Sequence, residues 1–501
     1  MVAPRFNFYL IVHTSEFTER KRICMGDFFV NNLTIMKNRI YIKDLSKHAG
    51  EEVTICAWVD VRRDQGKLVF FDFRDMSGKV QGVILPSAKE AHETATPIRT
   101  EWVLAVTGKV NKRPDKNVQA DKQNGDIELE ILGIKVLNEA ETTPFDVTSD
   151  GRELSEEIRL KYRYLDLRRP RLQKNIRLRD TIISFFRDYM HRADFVEIET
   201  PMLMKGTPEG SREYLVPSRI EPGKFYALPQ SPQQYKQLCM VAGFEKYFQI
   251  ARCMRDEDLR GDRQPEFTQL DFEMSFVEQE DVLSFTEKMF LEMVEKLFPE
   301  KHCTTVPFPR LTFAESMEKY GSDKPDLRKD KNDPNELAFA WIVDFPMFEK
   351  LDDGTIQAAH HPFCSIKEED VDKFMKGEDL FSIRANSYDL VLNGYELSSG
   401  SIRIHQREIQ RQVFKLLNIS EEEQKAKFGH MLEAFTFGAP PHGGFAPGID
   451  RVVMLMANEP NIREVIAFPK TGEARDLMMN APSETGEKQL KELGISLRAK
   501  R

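Results

Sequence analysis

Two acidic residues flank a strong turn signal and could hold a divalent cation. Asp389 and Glu396 lie on either side of Asn393-Gly394 in the segment SYDLVLNGYELSSGSIRI, and a two-residue turn there predicts a β-hairpin with Asp389 opposite Ser398. The two carboxylates then become diagonal neighbours on one face. Because like charges this close repel each other, one pKa rises unless a cation lies between them. The pair suits Mg²⁺, although two carboxylates on a wet face would explain the pattern equally well.

A second charged segment, RCMRDEDLRGDRQPEFTQLDFEMSF, runs from Arg252 to Phe276. Its second half alternates between apolar and polar residues, which predicts a half-buried strand. The segment before it alternates in the same way, so the two strands and the charged loop 256–266 should form a hairpin. The polar face of that hairpin carries Arg255, Gln269, Asp271 and Glu273.

A helix start could add two further polar side chains. In the segment QSPQQYK, Ser231 is a good N-cap and Gln234 completes a capping box. The helix should end at Gly243. Gln233 and Lys236, three residues apart, then lie on one helix face.

A glycine-rich segment, FGAPPHGGFAPGIDRVVMLMAN, leads into a predicted apolar helix over 449–457 with Asp450 and Arg451 in its first turn. Backbone N–H groups at a helix start favour phosphate. The GxxxxGK[ST] spacing is absent, which excludes a P-loop. Together with the two hairpins, this segment suits a bent, metal-neutralised triphosphate rather than the extended pyrophosphate of a dinucleotide fold.

The region that precedes these motifs is predicted to be all-β. Between Val53 and Leu137, short runs rich in Val, Ile, Phe and Trp are separated by turn signals. Five strands of this length suit a small closed barrel of the oligonucleotide-binding type. Phe70, Phe71 and Phe73 could fill the barrel core, or an exposed one among them could stack on a base.

Length and composition limit the class of protein. The 501 residues predict two or three domains, and 41% hydrophobic with 31% charged residues indicates a soluble globular chain. No apolar run is long enough to cross a membrane. The net charge of −9 gives no overall attraction to nucleic acid, so any RNA contact needs local basic patches. The cysteines are scattered without a CxxC pair, which favours reduced thiols and a cytoplasmic location.

The domain prediction follows from these elements. Residues 1–35 are expected to be a disordered extension, 36–143 the barrel, 144–172 a basic hinge, 173–480 an α+β domain and 481–501 a tail. The hinge is either a solvated charged run or part of a groove for a polyanion. Within the α+β domain, a helix with an apolar stripe runs into the strand FVEIETPML. That pattern fits either a core element or a symmetric subunit contact.

The motifs together resemble the class II aminoacyl-tRNA synthetases, and most closely the aspartyl-tRNA synthetases. FVEIETPML is similar to motif 1, CMRDEDLRGDRQPEFTQLDFEMSF to motif 2 and GFAPGIDRVVML to motif 3. TPEGSREYLVPSR resembles the loop that closes over aspartate, while QSPQQYK and GSIRIH match the amino-acid pocket. The resemblance implies an α+β fold: an N-terminal OB-fold barrel that binds an anticodon, and a catalytic domain on an antiparallel sheet flanked by helices.

The resemblance also implies a role for each matching residue. The expected catalytic residues are Arg255, Glu396 and Arg451. The expected aspartate-binding residues are Glu209, Gln233, Lys236, Arg255, Asp271, His360, His361 and Arg403, with Arg403 holding the side-chain carboxylate through a bidentate fork. The expected ATP-binding residues are Arg255, Asp256, Glu257, Gln264, Glu396, Gly448, Ile449, Asp450 and Arg451. Asp389 and Glu396 would hold Mg²⁺, and Arg63, Phe70, Gln81 and Glu128 would bind the anticodon.

The implied function is that of an aspartate–tRNA ligase. It would form aspartyl-adenylate from L-aspartate and ATP, release pyrophosphate and aminoacylate tRNA(Asp), as a homodimer built on motif 1. The alternatives are a non-discriminating enzyme that also charges tRNA(Asn), an asparaginyl enzyme, a non-catalytic RNA-binding paralogue, and an amide ligase, which would lack the barrel. A neutral asparagine should leave the cations of Lys236 and Arg403 unpaired, which predicts rejection of about 10⁴-fold.

The chain departs from the bacterial pattern in two places. Bacterial members usually carry a large domain between motif 2 and the segment HHPF, whereas here Asp271 and His360 are too close in sequence for one. ELSSGS replaces the usual glycine-rich string. The resemblance therefore predicts an intact pocket without the acceptor-arm contacts of the missing domain.

Overall fold

A computed structural model describes residues 38–206, 211–351 and 353–498. The extension predicted over 1–35 and the expected substrate ligand Glu209 lie outside the described residues. The chain divides into two compact units, residues 1–148 and 149–501. No helix among the described residues is long and apolar enough to cross a membrane.

The first unit contains the closed five-stranded barrel that the sequence predicts. Its elements are β1 (Glu52–Gln65), β2 (Leu68–Asp75), β3 (Gly78–Ile84), α1 (Lys89–Ala95), β4 (Val103–Lys112) and β5 (Ile127–Asn138). The strands follow the order β1-β2-β3-β5-β4, with β3 and β5 parallel and the other described pairs antiparallel. On β2, Phe71 and Phe73 point into the core and are fully buried, whereas Phe70 points outward and is half-buried.

The second unit is α+β. Its helices are α2 (Glu156–Lys161), α3 (Arg163–Asp166), α4 (Pro170–Arg192), α5 (Gln233–Val241), α6 (Gln279–Leu297), α7 (Phe313–Tyr320), α8 (Val371–Lys376), α9 (Arg407–Leu416), α10 (Glu421–Ala434), α11 (Ile449–Met456) and α12 (Glu487–Glu492). Its strands are β6 (Val196–Glu197), β7 (Leu215–Pro217), β8 (Phe225–Ala227), β9 (Lys246–Met254), β10 (Glu266–Ser275), β11 (His302–Cys303), β12 (Arg310–Thr312), β13 (Glu336–Leu337), β14 (Phe339–Val343), β15 (Phe348–Lys350), β16 (Ile356–Ala358), β17 (Ser387–Leu392), β18 (Tyr395–Ile402) and β19 (His442–Phe445).

An eight-stranded sheet organises this unit in the order β12-β14-β17-β18-β19-β10-β9-β6. The six central strands pair antiparallel, as the sequence predicts, and the edge strands β12 and β6 pair parallel to their neighbours. Helices α4, α6 and α11 contribute apolar side chains to the same core as the sheet. Aromatic rings such as Phe272, Trp341 and Phe445 fill that core. The rigid sheet fixes the polar side chains on its opposite face.

The predicted motif 1 helix contributes to the core. Ile182, Phe186 and Met190 of α4 are fully buried. The short edge strand β6 that follows is exposed at both residues, Val196 and Glu197. The helix therefore packs in the core, and an exposed sheet edge follows it.

The basic hinge predicted over 144–172 is not a solvated run, because several of its arginines are buried. Arg159, Arg163 and Arg169 all contact the carboxylate of Asp166, and their side chains are at most 8% exposed. From residue 149 onward the segment belongs to the second unit. These three arginines therefore stabilise that unit and cannot line a groove for a polyanion.

Glu464 closes the same ionic network. Its carboxylate accepts hydrogen bonds from Arg159 at 2.9 and 2.8 Å and from Arg171 at 2.9 Å. Burial alone would raise the pKa of Glu464, but the two arginines outweigh it and lower the pKa from 4.5 to about 2. The carboxylate therefore stabilises the fold fully above the unfolded-state pKa of 4.5, and that contribution is lost as the pH falls toward 2.

We expect Glu464→Gln to lower the free energy of unfolding by about 3 kcal/mol near pH 7, because Arg159 and Arg171 each lose one of their two buried counter-charges. Chemical denaturation measures this change. The control is Glu156→Gln, which removes an exposed partner of Arg463 and should cost less than about 1 kcal/mol. Equal losses in the two variants would contradict a special role for the buried network.

Candidate active site

Four charged side chains form a cluster at the floor of a cavity of about 820 Å³, where Lys236, Asp271 and Arg403 line the cavity and Glu273 lies buried behind them. The Nζ atom of Lys236 donates to Asp271 at 3.0 Å and lies 3.2 Å from Glu273. Arg403 donates through Nε and Nη2 to the two oxygens of Glu273, at 2.8 and 3.1 Å. All four side chains are at most 3% exposed. Two buried cations are thus balanced by two buried carboxylates.

The close approach of two strands makes room for this floor. Glu273 on β10 lies opposite Gly444 on β19. A Cβ atom at position 444 would lie 2.0 Å from Glu273 Oε2 and 2.2 Å from the carbonyl oxygen of Phe272. Only glycine fits at this position, which links the glycine-rich segment to the floor of the cavity.

The two carboxylates of the floor differ in their proton affinity. Burial alone would raise the pKa of Glu273, but Arg403 and Lys236 lower it to about 2. Burial raises the pKa of Asp271, and Lys236 offsets that rise only in part. Asp271 Oδ1 is buried without a hydrogen-bond partner among the described residues. This oxygen can accept a hydrogen bond from an ammonium group that enters the cavity.

The structure changes two expectations for Arg403. Its Nε–Nη2 edge already binds Glu273, and Nη1 donates to His361 at 3.0 Å and to Ser401. A bidentate contact with a ligand carboxylate would need the Nη1–Nη2 edge, where both N–H groups of Nη1 already have partners, so His361 or Ser401 would have to release one of them. Moreover, Lys236 and Arg403 both have protein counter-charges, so a neutral ligand would not leave them unpaired. The predicted 10⁴-fold rejection of asparagine therefore does not follow from unpaired cations.

Both histidines of the segment HHPF line the cavity. The ring nitrogens of His361 both face N–H donors, from Arg403 at 3.0 Å and from the Phe363 backbone at 3.2 Å. Burial, followed by the charge of Arg403, lowers the pKa of His361 well below its ordinary value. Burial also lowers the pKa of His360, despite the nearby charge of Glu396. Both rings are therefore neutral near pH 7.

The hairpin of β17 and β18 has the predicted two-residue turn, but a bulge changes its register. Val391 pairs with Glu396 as expected, after which the register shifts by one residue, so that Asp389 faces Ser399 rather than Ser398. Leu397, which is buried in the apolar core, is the extra residue on β18. Asp389 and Glu396 still line the same cavity.

The carboxylate pair is not two groups on a wet face. Asp389 is 6% exposed, whereas the Glu396 side chain is 33% exposed. Burial, followed by the charge of Glu396, raises the pKa of Asp389 well above its ordinary value. Asp389 Oδ1 is buried without a partner among the described residues. An orphaned oxygen beside a second carboxylate fits a hard divalent cation.

Three arginines also line the cavity: Arg255, Arg263 and Arg451. Arg255 lies over the ring of Phe267 at 5.1 Å, and Arg263 pairs with Glu257 at 3.2 Å. Arg451 donates to the backbone oxygen of Glu396 at 2.6 Å and pairs with Asp262 at 3.1 Å. Arginines in the same cavity as the carboxylate pair suit a metal-neutralised polyphosphate.

The predicted ATP ligands divide into two groups. Arg255, Glu257, Gln264, Glu396, Gly448, Asp450 and Arg451 line the cavity. Asp256 and Ile449 do not line it: Asp256 pairs with Arg212 and Ile449 is part of the apolar core. Asp450 accepts from the backbone of Thr268 and from Arg179, which indicates a structural role.

Helix α5 begins at Gln233, one residue later than the predicted N-cap at Ser231 implies, although the Gln233 backbone N–H does donate to Ser231. The capping box is absent, however, because both polar atoms of Gln234 lack partners among the described residues. The start of α5 nevertheless places Gln233 and Lys236 together at the cavity.

Four polar residues at the site had no role assigned from the sequence: Gln237, Glu273, Ser401 and His442. Glu273 was placed on the polar face of β10 with Asp271, which was a signal for it. Gln237 follows Gln233 by one helical turn, and Ser401 precedes Arg403 by two residues, so both also had a local signal. The contact of His442 with Gln237 joins residues 205 positions apart, which no local pattern revealed.

The barrel carries a separate cavity of about 300 Å³. Three of the four predicted anticodon residues, Phe70, Gln81 and Glu128, line it. Arg63 does not, since it forms a bidentate pair with Asp72 at 2.9 Å. Arg113 was missed: it donates to Gln81 Oε1 at 2.6 Å, which leaves the amide N–H₂ of Gln81 for a ligand. Burial raises the pKa of Glu128.

Comparisons with known proteins identify relatives over both units. Residues 155–472 match the family of class II tRNA synthetases (D, K and N), and residues 53–137 match the OB-fold nucleic acid binding domain. The chain is similar to the aspartate–tRNA(Asp/Asn) ligase of Rubrobacter xylanophilus, with 42% identity over 90% of this chain and 95% of the relative. It is 40% identical to the aspartate–tRNA ligase of Oceanobacillus iheyensis over 90% of this chain and 97% of that protein.

Solved structures share the fold. An aspartyl-tRNA synthetase from Entamoeba histolytica has a TM-score of 0.68 at 24% identity, covering 86% of this chain and 91% of its own. Asparaginyl-tRNA synthetase from Pyrococcus horikoshii, complexed with asparaginyl-adenylate, has a TM-score of 0.68 at 20% identity, covering 86% and 98%. The alignment with the Rubrobacter protein spans 576 positions, more than the 501 residues of this chain, so that relative contains residues that are missing here. On the extent of these matches, the chain belongs to the class II tRNA synthetases of the D, K and N group.

Proposed function

We propose that this protein is an aspartate–tRNA ligase, which activates L-aspartate with ATP and transfers it to tRNA(Asp). The observation that carries the proposal is the floor of the large cavity. There, the unpartnered Asp271 Oδ1 lies beside the cations of Lys236 and Arg403. One acceptor for an ammonium group next to two donors for carboxylates is complementary to a small acidic amino acid.

In this arrangement the substrate ammonium donates to Asp271 Oδ1. The side-chain carboxylate of aspartate accepts from the Nη1–Nη2 edge of Arg403 and from Lys236. Glu273 holds both cations in place from below, since it contacts each of them. The paired charges are preorganised, and binding requires only that His361 or Ser401 release an N–H group of Arg403 Nη1 to the substrate carboxylate.

Activation needs no side-chain base, because the α-carboxylate of aspartate is already an anion. One of its oxygens forms a bond with the α-phosphorus of ATP, while the bond between that phosphorus and the bridging oxygen breaks and pyrophosphate leaves with the electron pair. Arg255 would stabilise the charge that develops on the α-phosphoryl oxygens, and Arg451 would bind the far end of the triphosphate.

Asp389 and Glu396 are the residues that would hold Mg²⁺. When bound, the ion would neutralise charge on the phosphates and align them. The adenylate would then be attacked by a hydroxyl group at the 3′ end of the tRNA, which forms the aminoacyl ester and releases AMP.

Two tRNA substrates are compatible with this site. The relative from Rubrobacter is named for both tRNA(Asp) and tRNA(Asn), which favours a non-discriminating enzyme as the second candidate. Aminoacylation with aspartate against purified tRNA(Asp) and tRNA(Asn) tests both proposals. Charging of tRNA(Asp) alone supports the first, and charging of both supports the second. Failure to charge either would overturn the function.

We expect Phe70→Ala to raise the KM for tRNA by about 10- to 100-fold, because the variant loses a half-buried ring on which a base can stack. The KM values for aspartate and ATP in pyrophosphate exchange should not change, since the barrel does not contain the catalytic cavity. Leu132→Ala, which removes an exposed apolar side chain of β5 outside the cavity, is the control and should leave the KM for tRNA unchanged. A normal KM for tRNA in the Phe70 variant would exclude the barrel cavity as an anticodon site.

The proposal also includes a homodimer and a cytoplasmic location. The exposed edge strand β6 and the exposed apolar side chains of Val196 and Leu203 support a contact between copies near motif 1. None of the cysteines in the described part of the chain forms a disulfide, which is compatible with the cytoplasm. We further propose the barrel as the anticodon-binding domain, with catalysis confined to the second unit. Light scattering of the purified protein tests the dimer.

A further inference from the structure

A line of hydrogen bonds leads into the cavity from a backbone carbonyl next to strand β19. His442 Nδ1 lies 2.7 Å from the carbonyl oxygen of Pro440, and His442 Nε2 lies 3.1 Å from Gln237 Nε2. Gln237 Oε1 in turn lies 3.1 Å from Gln233 Nε2. His442 and Gln237 are fully buried, whereas Gln233 lines the cavity.

The polarity of this line is fixed at its inner end. A carbonyl oxygen can only accept, so His442 must carry its proton on Nδ1. In a neutral ring Nε2 is then an acceptor, which requires the amide N–H₂ of Gln237 to face it. Gln237 therefore turns Oε1 toward Gln233, and Gln233 must donate to it. Because Nε2 of Gln233 is held by Gln237, the Oε1 atom is the acceptor that the Gln233 amide can offer to a ligand.

The surroundings of His442 keep its ring neutral. Burial is the largest influence and lowers the pKa of His442, while Glu273 and the Pro440 carbonyl act to raise it. Arg403 and His405 oppose them and lower the pKa further. The edge of the Phe435 ring covers the remaining side and adds no charge. A protonated ring would reverse each amide in turn and direct N–H₂ of Gln233 into the cavity.

We propose that His442 is a positioning residue for the amino-acid substrate: acting through Gln237, it orients the Gln233 amide so that Oε1 accepts a hydrogen bond from the substrate ammonium. The inference rests on the proposed function, which places that ammonium beside Asp271. A reversed amide would direct donors at a cation, which weakens binding. Asp271 would still hold the ammonium, so the loss is partial.

The test compares His442→Phe with His442→Gln. Both variants lack the Nδ1–H donor to Pro440, so they share that structural cost. Glutamine can turn its oxygen toward Gln237 at the position of Nε2, whereas phenylalanine cannot. The difference between the two variants therefore isolates the acceptor at Nε2.

In aspartate-dependent pyrophosphate exchange, His442→Phe should raise the KM for aspartate by about 10- to 100-fold. Its KM for ATP should stay within about twofold of wild type, and His442→Gln should recover most of the loss. An unchanged KM for aspartate in a folded His442→Phe variant would overturn the inference, as would equal damage in the two variants or parallel rises in both KM values. Absence of exchange in the wild-type protein would instead overturn the proposed function.

Discussion

Arg403→Lys should reduce kcat/KM for aspartate in pyrophosphate exchange by about 10³-fold, because the variant keeps one charge but loses the planar donor edge. Arg403 contacts Glu273, His361 and Ser401 at the same time. A lysine can still neutralise Glu273. It cannot also donate two parallel hydrogen bonds to a substrate carboxylate, and so the loss falls on substrate binding rather than on folding.

Lysine is the informative substitution at this position. Alanine would leave Glu273 with Lys236 as its only cationic contact among the described residues, and breaking a buried pair costs about 3–5 kcal/mol. The control is Arg384→Lys. Arg384 pairs with the carboxylate of Asp370, but it does not line the cavity. The KM for ATP should change little in either variant. Near-normal exchange by Arg403→Lys would show that the cation does not recognise aspartate through its donor edge.

The parts of the fold that repeat a local pattern could be predicted from the sequence. The alternation of apolar and polar residues predicted β10, and the Asn393-Gly394 turn predicted the β17–β18 hairpin. Five short apolar runs predicted the barrel. The cavity residues followed because they lie on those elements. The bulge at Leu397 could not be predicted, because the alternation of apolar and polar residues along β18 fits the regular register as well as the bulged one.

Long-range charge pairing was the main source of error. Arg159 lies 305 positions from its partner Glu464, so the basic run over 144–172 looked solvated. Lys236 and Arg403 were expected to be unpaired without an acidic ligand, but Glu273 contacts both of them and Asp271 contacts Lys236. A sequence shows which residues carry charge, whereas the identity of the counter-charge depends on the tertiary fold.

Some ionisable groups of the site lower the free energy of unfolding, and Asp389 is the clearest case. Its pKa is raised because burial and Glu396 both disfavour the carboxylate. In the unfolded chain the same group ionises near its ordinary pKa of 3.8. As the pH rises above that value, folding must retain a proton or bury a charge, and stability falls until the raised pKa is passed.

Asp389→Asn removes that penalty. In the absence of Mg²⁺, we expect the variant to raise the melting temperature by about 2–4 °C near pH 7, and by less near pH 4, where the wild-type group is also largely neutral. Calorimetry at the two pH values measures the difference. The amide is nearly isosteric with the acid, so packing should not change.

The same variant should lose pyrophosphate exchange by about 10²- to 10³-fold, because one of the two carboxylates that would hold Mg²⁺ becomes a neutral amide. Glu396→Gln provides the matched control: it should lose activity to a similar extent, but gain little stability because its side chain is one-third exposed. If Asp389→Asn were stabilised but kept its pyrophosphate exchange activity, the carboxylate would not bind a cation that the reaction needs. Equal destabilisation at both pH values would show instead that Asp389 is a structural acceptor. A gain in stability that depends on pH is expected only if the wild-type carboxylate ionises and thereby lowers the free energy of unfolding.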